Sequence, residues 1–166
     1  MSQVTLSTQT GADLAGARIE QLTLLIGDRL GALHQVLLAL EPEPIRICAI
    51  SIVDGADHAV VRLVVDRSAV AARLLEEAGH VVHHRELLGV ALPKPGEPEM
   101  GIRDVMQALL SAEVKVIYVY SLVTRVEQRT VLALSVEDME MAERAILGVG
   151  LELVDQDQLG WGKDEA

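Results

Sequence analysis

The sequence predicts an α+β protein that consists of two copies of one β-α-β-β-α-β unit. Three observations lead to this prediction. Segments with apolar residues at every second position, as in a strand, alternate with segments whose apolar residues are three and four apart, as in a helix, and glycine or proline lies between such segments. The whole pattern repeats after 69 positions. The chain has 166 residues and 50% apolar content, which is enough to bury a core in each of two small units.

The first unit begins with a strand, a glycine turn and a helix. Apolar residues at alternate positions of 22–26 indicate a strand, whereas apolar residues three and four apart in 33–40 indicate a helix. The period changes within residues 27–31, which read Gly-Asp-Arg-Leu-Gly. The proline-rich residues 41–44 end the helix, because proline lacks an amide donor and restricts the residue before it.

The remainder of the first unit is predicted to contain two strands, a second helix and a last strand. Residues 45–53 and 58–65 are strand-like, and the Asp-Gly pair in residues 54–57 is typical of a hairpin turn between them. A helix then runs to Gly79, where glycine is a common stop, and residues 80–92 continue as extended chain. The predicted order is therefore β-α-β-β-α-β.

The second unit repeats this order. A shift of 69 positions aligns residues of like character without a gap: Val36 with Val105, Leu63 with Leu132, and Gly79 with Gly148. Residues 101–110 and 137–147 are its predicted helices, and residues 114–123, 128–136 and 151–155 are its predicted strands. Two copies of one unit explain the length of the chain better than a single domain.

This order is the signature of the ferredoxin-like α+β unit, in which two helices cover one face of an antiparallel sheet. We therefore expect two ferredoxin-like βαββαβ units with their antiparallel sheets packed side by side. The predicted boundaries are a flexible tail at 1–17, a first unit at 18–86, a second unit at 87–158 and a C-terminal tail at 159–166.

Composition and charge exclude several classes of function. A formal net charge of −11, without a stripe of basic and aromatic residues, argues against binding to nucleic acid or to anionic membranes. No apolar run approaches the roughly 20 residues that cross a bilayer, and the first residues do not resemble a signal peptide. The single Cys48 excludes an intrachain disulfide and fits a reducing compartment, so we expect a cytoplasmic protein.

The glycine loop and its repeat carry a family resemblance. The sequence DRLGAL enters the first helix, a degenerate form, EPEMGI, enters the third, and both lie within βαββαβ units. This arrangement resembles the ACT domain, the small-molecule-sensing module of amino-acid metabolism, over roughly residues 19–158. It looks most like short stand-alone proteins made of two ACT domains, some of which are grouped with the regulatory small subunit of acetolactate synthase.

The resemblance implies a non-catalytic regulatory protein, without a cofactor, that binds an amino acid where two ACT units meet. It implies ligand contacts in the loop that enters the first helix of each unit and at the start of the following strand: Asp28, Arg29, Leu30, Gly31, Ala32, Leu33, Arg46, Met100, Gly101 and Lys115. A homodimer is expected, because sheet edges need covering. The alternative is a regulatory small subunit of a separate biosynthetic enzyme such as acetolactate synthase, which acts mainly through protein contact.

The residues of the first loop give the implied site a physical basis. Gly31 lets backbone approach a ligand closely, and the unpaired amides at the positive end of a helix suit a carboxylate. Asp28 would receive the ammonium group of the ligand. Arg46 and Lys115 are candidates for binding the ligand carboxylate or for bridging the two units.

The chain departs from the family pattern in both loops. Leu30 stands where the family often has proline, and the second loop has Met100 with extra residues before it. One site per chain, or two related by dimerisation, is therefore expected rather than two equivalent sites.

Two further groups offer catalytic or metal chemistry. His80 and His84 share a face of an extended segment, but a metal would need a third ligand such as His58 or Glu86, so exposed histidines are the favoured interpretation. Cys48 has no neighbouring base and is expected to be a buried apolar side chain. No catalytic and no metal-binding residue is predicted.

Overall fold

The computed structural model describes residues 16–27, 29–97 and 100–160. Its strands are β1 (Ile19–Gly27), β2 (Ile47–Val53), β3 (His58–Val65), β4 (His83–Ala91), β5 (Val116–Ser121), β6 (Val131–Val136) and β7 (Glu152–Val154). Its α-helices are α1 (Ala32–Ala39), α2 (Ser68–Glu77), α3 (Ile102–Ser111) and α4 (Met139–Gly148). A short 3-10 helix at Gln156–Leu159 follows β7.

The strands form an antiparallel sheet in which β4 serves both halves of the chain. The order is β2-β3-β1-β4-β6-β5, and β7 also pairs with β4. Residues 83–87 of β4 pair with β1, whereas residues 88–91 pair with β6 and residues 89–91 with β7. One strand thus ends the first βαββαβ unit and begins the second. The predicted α+β class with two antiparallel units is confirmed. The sheet of the first unit, β2-β3-β1-β4, and the sheet of the second unit, β4-β6-β5 with β7, are joined through this shared strand.

Three buried clusters follow from the alternation of side chains along the strands. The first lies between one half of the sheet and α1 and α2, and it includes Leu22, Leu63 and Leu75. The second lies beneath α3 and α4, and it includes Leu88, Leu134 and Ile146. The third joins the two helix-free faces and contains Ile19, Cys48, Val64, Leu87, Leu122, Ala133 and Leu159. The two halves therefore share a core in addition to sharing a strand.

Some element bounds differ from the prediction for local reasons. The extended segment predicted from residue 80 becomes a strand only at His83, because Gly79 has φ of +92° and the amide of His80 still bonds to the carbonyl oxygen of Leu75. The strand predicted from residue 128 begins at Val131, because Glu127 and Gln128 have positive φ values of 50° and 64° in the preceding turn. The predicted tails lie mainly outside the described residues.

The pair of Glu20 and His84 links β1 to β4 on the helix-covered face. The side-chain Oε1 of Glu20 lies 2.5 Å from Nδ1 of His84. Partial burial acts to raise the pKa of Glu20, but hydrogen bonds from Ser68 and His84 and the charge of His84 outweigh it, so this pKa lies below its ordinary value of 4.5. A lowered pKa in the folded state contributes stability above the unfolded value, and this contribution disappears as the pH falls through the folded value.

We expect Glu20→Gln to lower the free energy of unfolding at about pH 6 and to have a smaller effect at about pH 3, because the contribution of the native carboxylate is lost as the pH falls through its lowered pKa. Urea unfolding at the two pH values measures the difference. The control is Glu76→Gln, which removes the same charge from an exposed position of α2. A deficit of equal size in Glu20→Gln at both pH values would contradict the expected linkage.

Candidate ligand-binding site

The turn between β1 and α1 forms the first of the two loops implicated by the sequence. Gly31 precedes α1 with φ of +83°, in the left-handed region that favours glycine. A Cβ atom at Gly31 would meet nothing within 4 Å, so the backbone conformation rather than space requires glycine here. The amide of Arg29 donates to the carbonyl oxygen of Gly27 at 2.8 Å, and the amide of Ala32 donates to that of Arg29 at 3.0 Å. Asp28 lies outside the described residues.

The start of α1 is open and electropositive. A shallow cavity of about 210 Å³ lies beside it and is lined by Arg29, Leu30, Gly31, Ala32 and Gln35. Gly31 provides no side-chain cap, and the first turn of α1 has no acidic residue. Leu30 is fully exposed, whereas Leu33 packs into the first core. The first-turn amides that follow Ala32, the positive end of the helix dipole and an exposed guanidinium make this surface suitable for a carboxylate.

The loop before α3 differs from the first loop because its helix start is already capped. It surrounds a larger cavity of about 740 Å³ that includes Met100 and Gly101 in its wall. Gly101 has an ordinary φ of −115°, and its amide donates to Oδ2 of Asp104 at 2.8 Å. The carboxylate of Asp104 therefore already occupies the helix start and repels a second carboxylate there. The second loop is a poorer anion site than the first.

Arg46 and Lys115 occupy equivalent positions in the two halves. Each immediately precedes a strand, β2 for Arg46 and β5 for Lys115. The carbonyl oxygen of Arg46 accepts from the amide of Asp66 at 3.1 Å, and that of Lys115 accepts from the amide of Glu137 at 3.0 Å. The two residues thus match in local structure, as the 69-residue repeat suggests.

Strand register places these residues and the two loops well apart. Ile47, the first residue of β2, pairs with Val65, and the neighbouring Val64 pairs with Gln21 near the start of β1. Arg46 therefore lies beside the start of β1, and the distance along the strand direction to Gly27, the last residue of β1, is roughly 20 Å. The end of β4, where the second loop begins, extends beyond the start of β1, in the direction away from Gly27. Within one chain, neither Arg46 nor the second loop can contact a ligand in the first loop.

Lys115 also lies far from Arg46. The amide of Val123 bonds to the carbonyl oxygen of Cys48 at 2.8 Å, which fixes the end of β5 next to the start of β2. Lys115 is at the other end of β5, about 20 Å away. The geometry therefore offers no bridge between Arg46 and Lys115 within one chain.

A polar centre that the sequence did not predict lies between the helix-free faces. Gln21 on β1 is only 1% exposed, and its Oε1 accepts hydrogen bonds from the hydroxyls of Tyr118 at 3.2 Å and Tyr120 at 2.7 Å. Its Nε2 donates to Oγ1 of Thr23 at 2.8 Å. Burial, assisted by the neighbouring Tyr118, raises the pKa of Tyr120 and keeps its hydroxyl protonated as a donor. The alternation of Gln21 and Thr23 with apolar residues in β1 was the available signal.

This polar centre borders a cleft of about 600 Å³ between the two sheets. Ten residues line it: Gln21, Thr23, Leu25, Val60, Arg62, His83, His84, Arg85, Ile117 and Tyr118. The guanidinium of Arg62 stacks over the ring of Tyr118, 4.0 Å from its centroid. Nη1 of Arg85 donates to Oγ of Ser135 at 3.0 Å.

The histidines and Cys48, which the sequence offered for metal binding or catalysis, make ordinary packing and hydrogen-bond contacts. His84 contacts Glu20, while His83 lines the cleft on the opposite face of β4. Within residues 16–27, 29–97 and 100–160, no group of three or more histidine, cysteine, aspartate or glutamate side chains could hold a metal ion. Cys48 is buried, and its thiol donates to the carbonyl oxygen of Arg46.

In the described part of the chain, no helix is long and apolar enough to span a membrane.

The fold is a tandem of two βαββαβ units that share β4. Residues 17–161 match the family model described as an ACT domain pair, and the chain belongs to this family. ACT domain pairs are typical of amino-acid-binding regulatory proteins.

Solved structures show the same fold at low sequence identity. Protein BT0572 from Bacteroides thetaiotaomicron is 20% identical, with a TM-score of 0.75 over 86% of this chain and 96% of that chain. The regulatory subunit of aspartate kinase from Thermus thermophilus, in a ligand-free form, is also 20% identical, with a TM-score of 0.56 over 81% and 93% of the two chains. No curated protein sequence matches this chain.

Proposed function

We propose that this protein is a non-catalytic, cytoplasmic regulatory protein that binds an amino acid at an interface between ACT units. The observation that carries the proposal is the uncapped, electropositive start of α1 at Gly31, in a family typical of amino-acid-binding regulators. The ligand carboxylate would accept from the first-turn amides of α1 that follow Ala32 and from the side chain of Arg29. Asp28, adjacent in sequence, would accept from the ammonium group.

A second copy of the chain would complete this site. Arg46 and the first loop lie at opposite ends of the same half of the sheet, so one ligand can contact both only across two chains. Strand β2 supports such an assembly, because it ends the strand order and exposes Ile50, Ile52 and Val53. An amino acid that binds across the interface would favour the assembled state by its differential affinity, which is the basis of regulation.

Calorimetric titration of the purified chain with each of the standard amino acids tests the proposal. We expect binding by a small subset, and we expect Gly31→Ala to weaken that binding by about tenfold or more, because the left-handed conformation costs an alanine about 1 kcal/mol and the shifted loop no longer presents its amides.

The matched control is Gly150→Ala. Gly150 has φ of +82° and an equally open Cβ position, so it carries the same backbone strain in the loop after α4. Binding to this variant is expected to stay within about twofold of the parent. Absence of heat with every amino acid, or equal weakening in both variants, would remove the amino-acid site from the first loop.

The second candidate is a regulatory subunit that acts by contact with a separate catalytic chain, such as acetolactate synthase. The apolar exposed edge of β2 favours it, and a chain of similar fold is named the regulatory subunit of aspartate kinase. A stoichiometric complex with a catalytic subunit, formed without any amino acid and lost in Ile52→Lys, would support this candidate over a free-standing sensor.

A further inference from the structure

The geometry points to a second ligand site in the cleft between the two sheets, for a small organic carboxylate that carries no ammonium group. This site is separate from the proposed amino-acid site, because most of its lining residues lie on the helix-free face of β1, β3 and β4, beside Ile117 and Tyr118 of β5, and none lies in the loop before α1. The cleft, of about 600 Å³, is large enough for a molecule of several carbon atoms.

The first line of evidence is the charge of the lining. The chain has 25 acidic and 14 basic residues, yet Arg62, Arg85 and His83 line the cleft and no aspartate or glutamate does; the side chain of His84, also in the wall, contacts Glu20 on the other face. Among the residues that the structure describes, neither Arg62 nor Arg85 has a carboxylate partner; the first stacks on Tyr118 and the second bonds to the hydroxyl of Ser135. Both guanidinium groups therefore keep donors available for an anion.

The second line of evidence is the register, which directs these groups to one face. Arg62 on β3 and His83 on β4 both pair with Thr23 on β1, and Arg85 on β4 pairs with Gln21. Paired residues of antiparallel strands point to the same face, and β3 and β4 flank β1 at about 10 Å from each other. Two long arginine side chains at this spacing can both reach one small anion.

The third line of evidence is the apolar surface beside the arginines. Leu25 is 60% exposed and Ile117 is 51% exposed, although both line the cleft, and Val60 pairs with Leu25. The arginines and these side chains form one continuous surface with a cationic part and an apolar part. A carboxylate with a hydrocarbon body would cover both parts.

The same surroundings discriminate against a free amino acid. An ammonium group needs acceptors, and the cleft has no carboxylate in its lining. The carbonyl oxygen of Gln21 already accepts from Tyr118 and Tyr120, and the hydroxyl of Thr23 accepts from Gln21. An ammonium group held here would face two guanidinium groups without compensation, whereas a 2-oxo acid would not.

The experiment uses 4-methyl-2-oxopentanoate and leucine, which share a carbon skeleton and differ in the ammonium group. In two-dimensional amide NMR of the full chain, the 2-oxo acid should shift the signals of Thr23, Leu25 and Ile117, and leucine should leave them in place. Inorganic phosphate, which lacks a hydrocarbon body, should bind more weakly than the 2-oxo acid. Phosphate binding that equals it, or shifts by the 2-oxo acid confined to the loop at Gly31, would overturn the assignment.

Substitutions locate the site and separate it from the loop. Arg62→Gln and Arg85→Gln should each weaken binding of 4-methyl-2-oxopentanoate by about tenfold, because each loses a charge-assisted hydrogen bond. Arg62→Lys should retain part of the affinity. Arg144→Gln removes the same charge from an exposed position of α4 and should have no effect.

The outcome does not depend on the proposed function. Amino-acid binding that persists in Arg62→Gln while 2-oxo acid binding falls would support two separate sites. Unchanged affinity for the 2-oxo acid in both Arg62→Gln and Arg85→Gln would overturn the cleft site and leave the loop at Gly31 unaffected.

Discussion

Replacement of Gly89 with valine is expected to destabilise the chain by about 3 kcal/mol or more. Gly89 lies in β4 between β6 and β7, where it pairs with Ala133 on one side and with Val154 on the other. An added Cβ atom would lie 2.9 Å from the carbonyl oxygen of Val154 and 3.3 Å from Cγ2 of Ile19. Relief of this overlap would move backbone that pairs with β4, so the cost exceeds that of rotating a side chain.

Urea unfolding of Gly89→Val and Gly89→Ala measures this effect, and alanine should give the smaller loss. Gly148→Val is the control, because Gly148 is exposed at the end of α4 and a Cβ atom there meets nothing within 4 Å. Its free energy of unfolding is expected within about 0.5 kcal/mol of the parent. Equal losses for Gly89→Val and Gly148→Val would show that close approach at β4 is not the cause.

Gly89 also illustrates which parts of the fold the sequence predicts. Periodicity is a local property, so the order of strands and helices, the glycine turn at Gly31 and the repeat after 69 residues could all be predicted. The environment of Gly89 depends on Ile19 and Val154, which are distant in sequence. Periodicity cannot specify such a contact, and it identified residues 80–92 only as extended chain.

The candidate sites also combine local features that the sequence predicts with features that depend on residues distant in sequence. The left-handed conformation of Gly31 and the open helix start depend on neighbouring residues, and the sequence predicted a helix that begins there. The distance between Gly31 and Arg46 depends on strand register, and the cleft depends on how the helix-free faces meet. Arg62 and Arg85 look like ordinary solvated strand residues in the sequence, since nothing in their spacing shows that Tyr118 lies opposite.

The shared strand β4 leads to a second large effect. A fragment of residues 1–92 keeps every element of the first βαββαβ unit, yet we expect it to lack a cooperative unfolding transition. Residues 88–91 of β4 lose both pairing partners, because β6 and β7 are absent. On the helix-free face, buried side chains such as Ile19 and Leu87 would become exposed when Leu122, Ala133 and Leu159 are removed.

Hydrogen bonds that join the halves would also be lost. Nη2 of Arg18 donates to Oε2 of Glu143 at 2.7 Å, and the side chain of Gln156 bonds both to the amide of Glu20 and to the carbonyl oxygen of Val65. The fragment would expose a large apolar face together with unpaired polar groups, and both destabilise the folded state.

Thermal unfolding followed by circular dichroism, together with binding of a hydrophobic dye, distinguishes a folded fragment from a collapsed one. The control is the full chain with a protease site inserted at Gly96, an exposed residue of the loop between β4 and α3, and cleaved after folding. This cut breaks the same connection and removes no packing, so the nicked protein should keep a cooperative transition. A sharp transition in the 1–92 fragment alone would show that the first unit folds independently, and that the core between the helix-free faces is an accessory contact. A nicked chain that unfolds like the fragment would instead indicate that covalent continuity, rather than the shared core, holds the two units together.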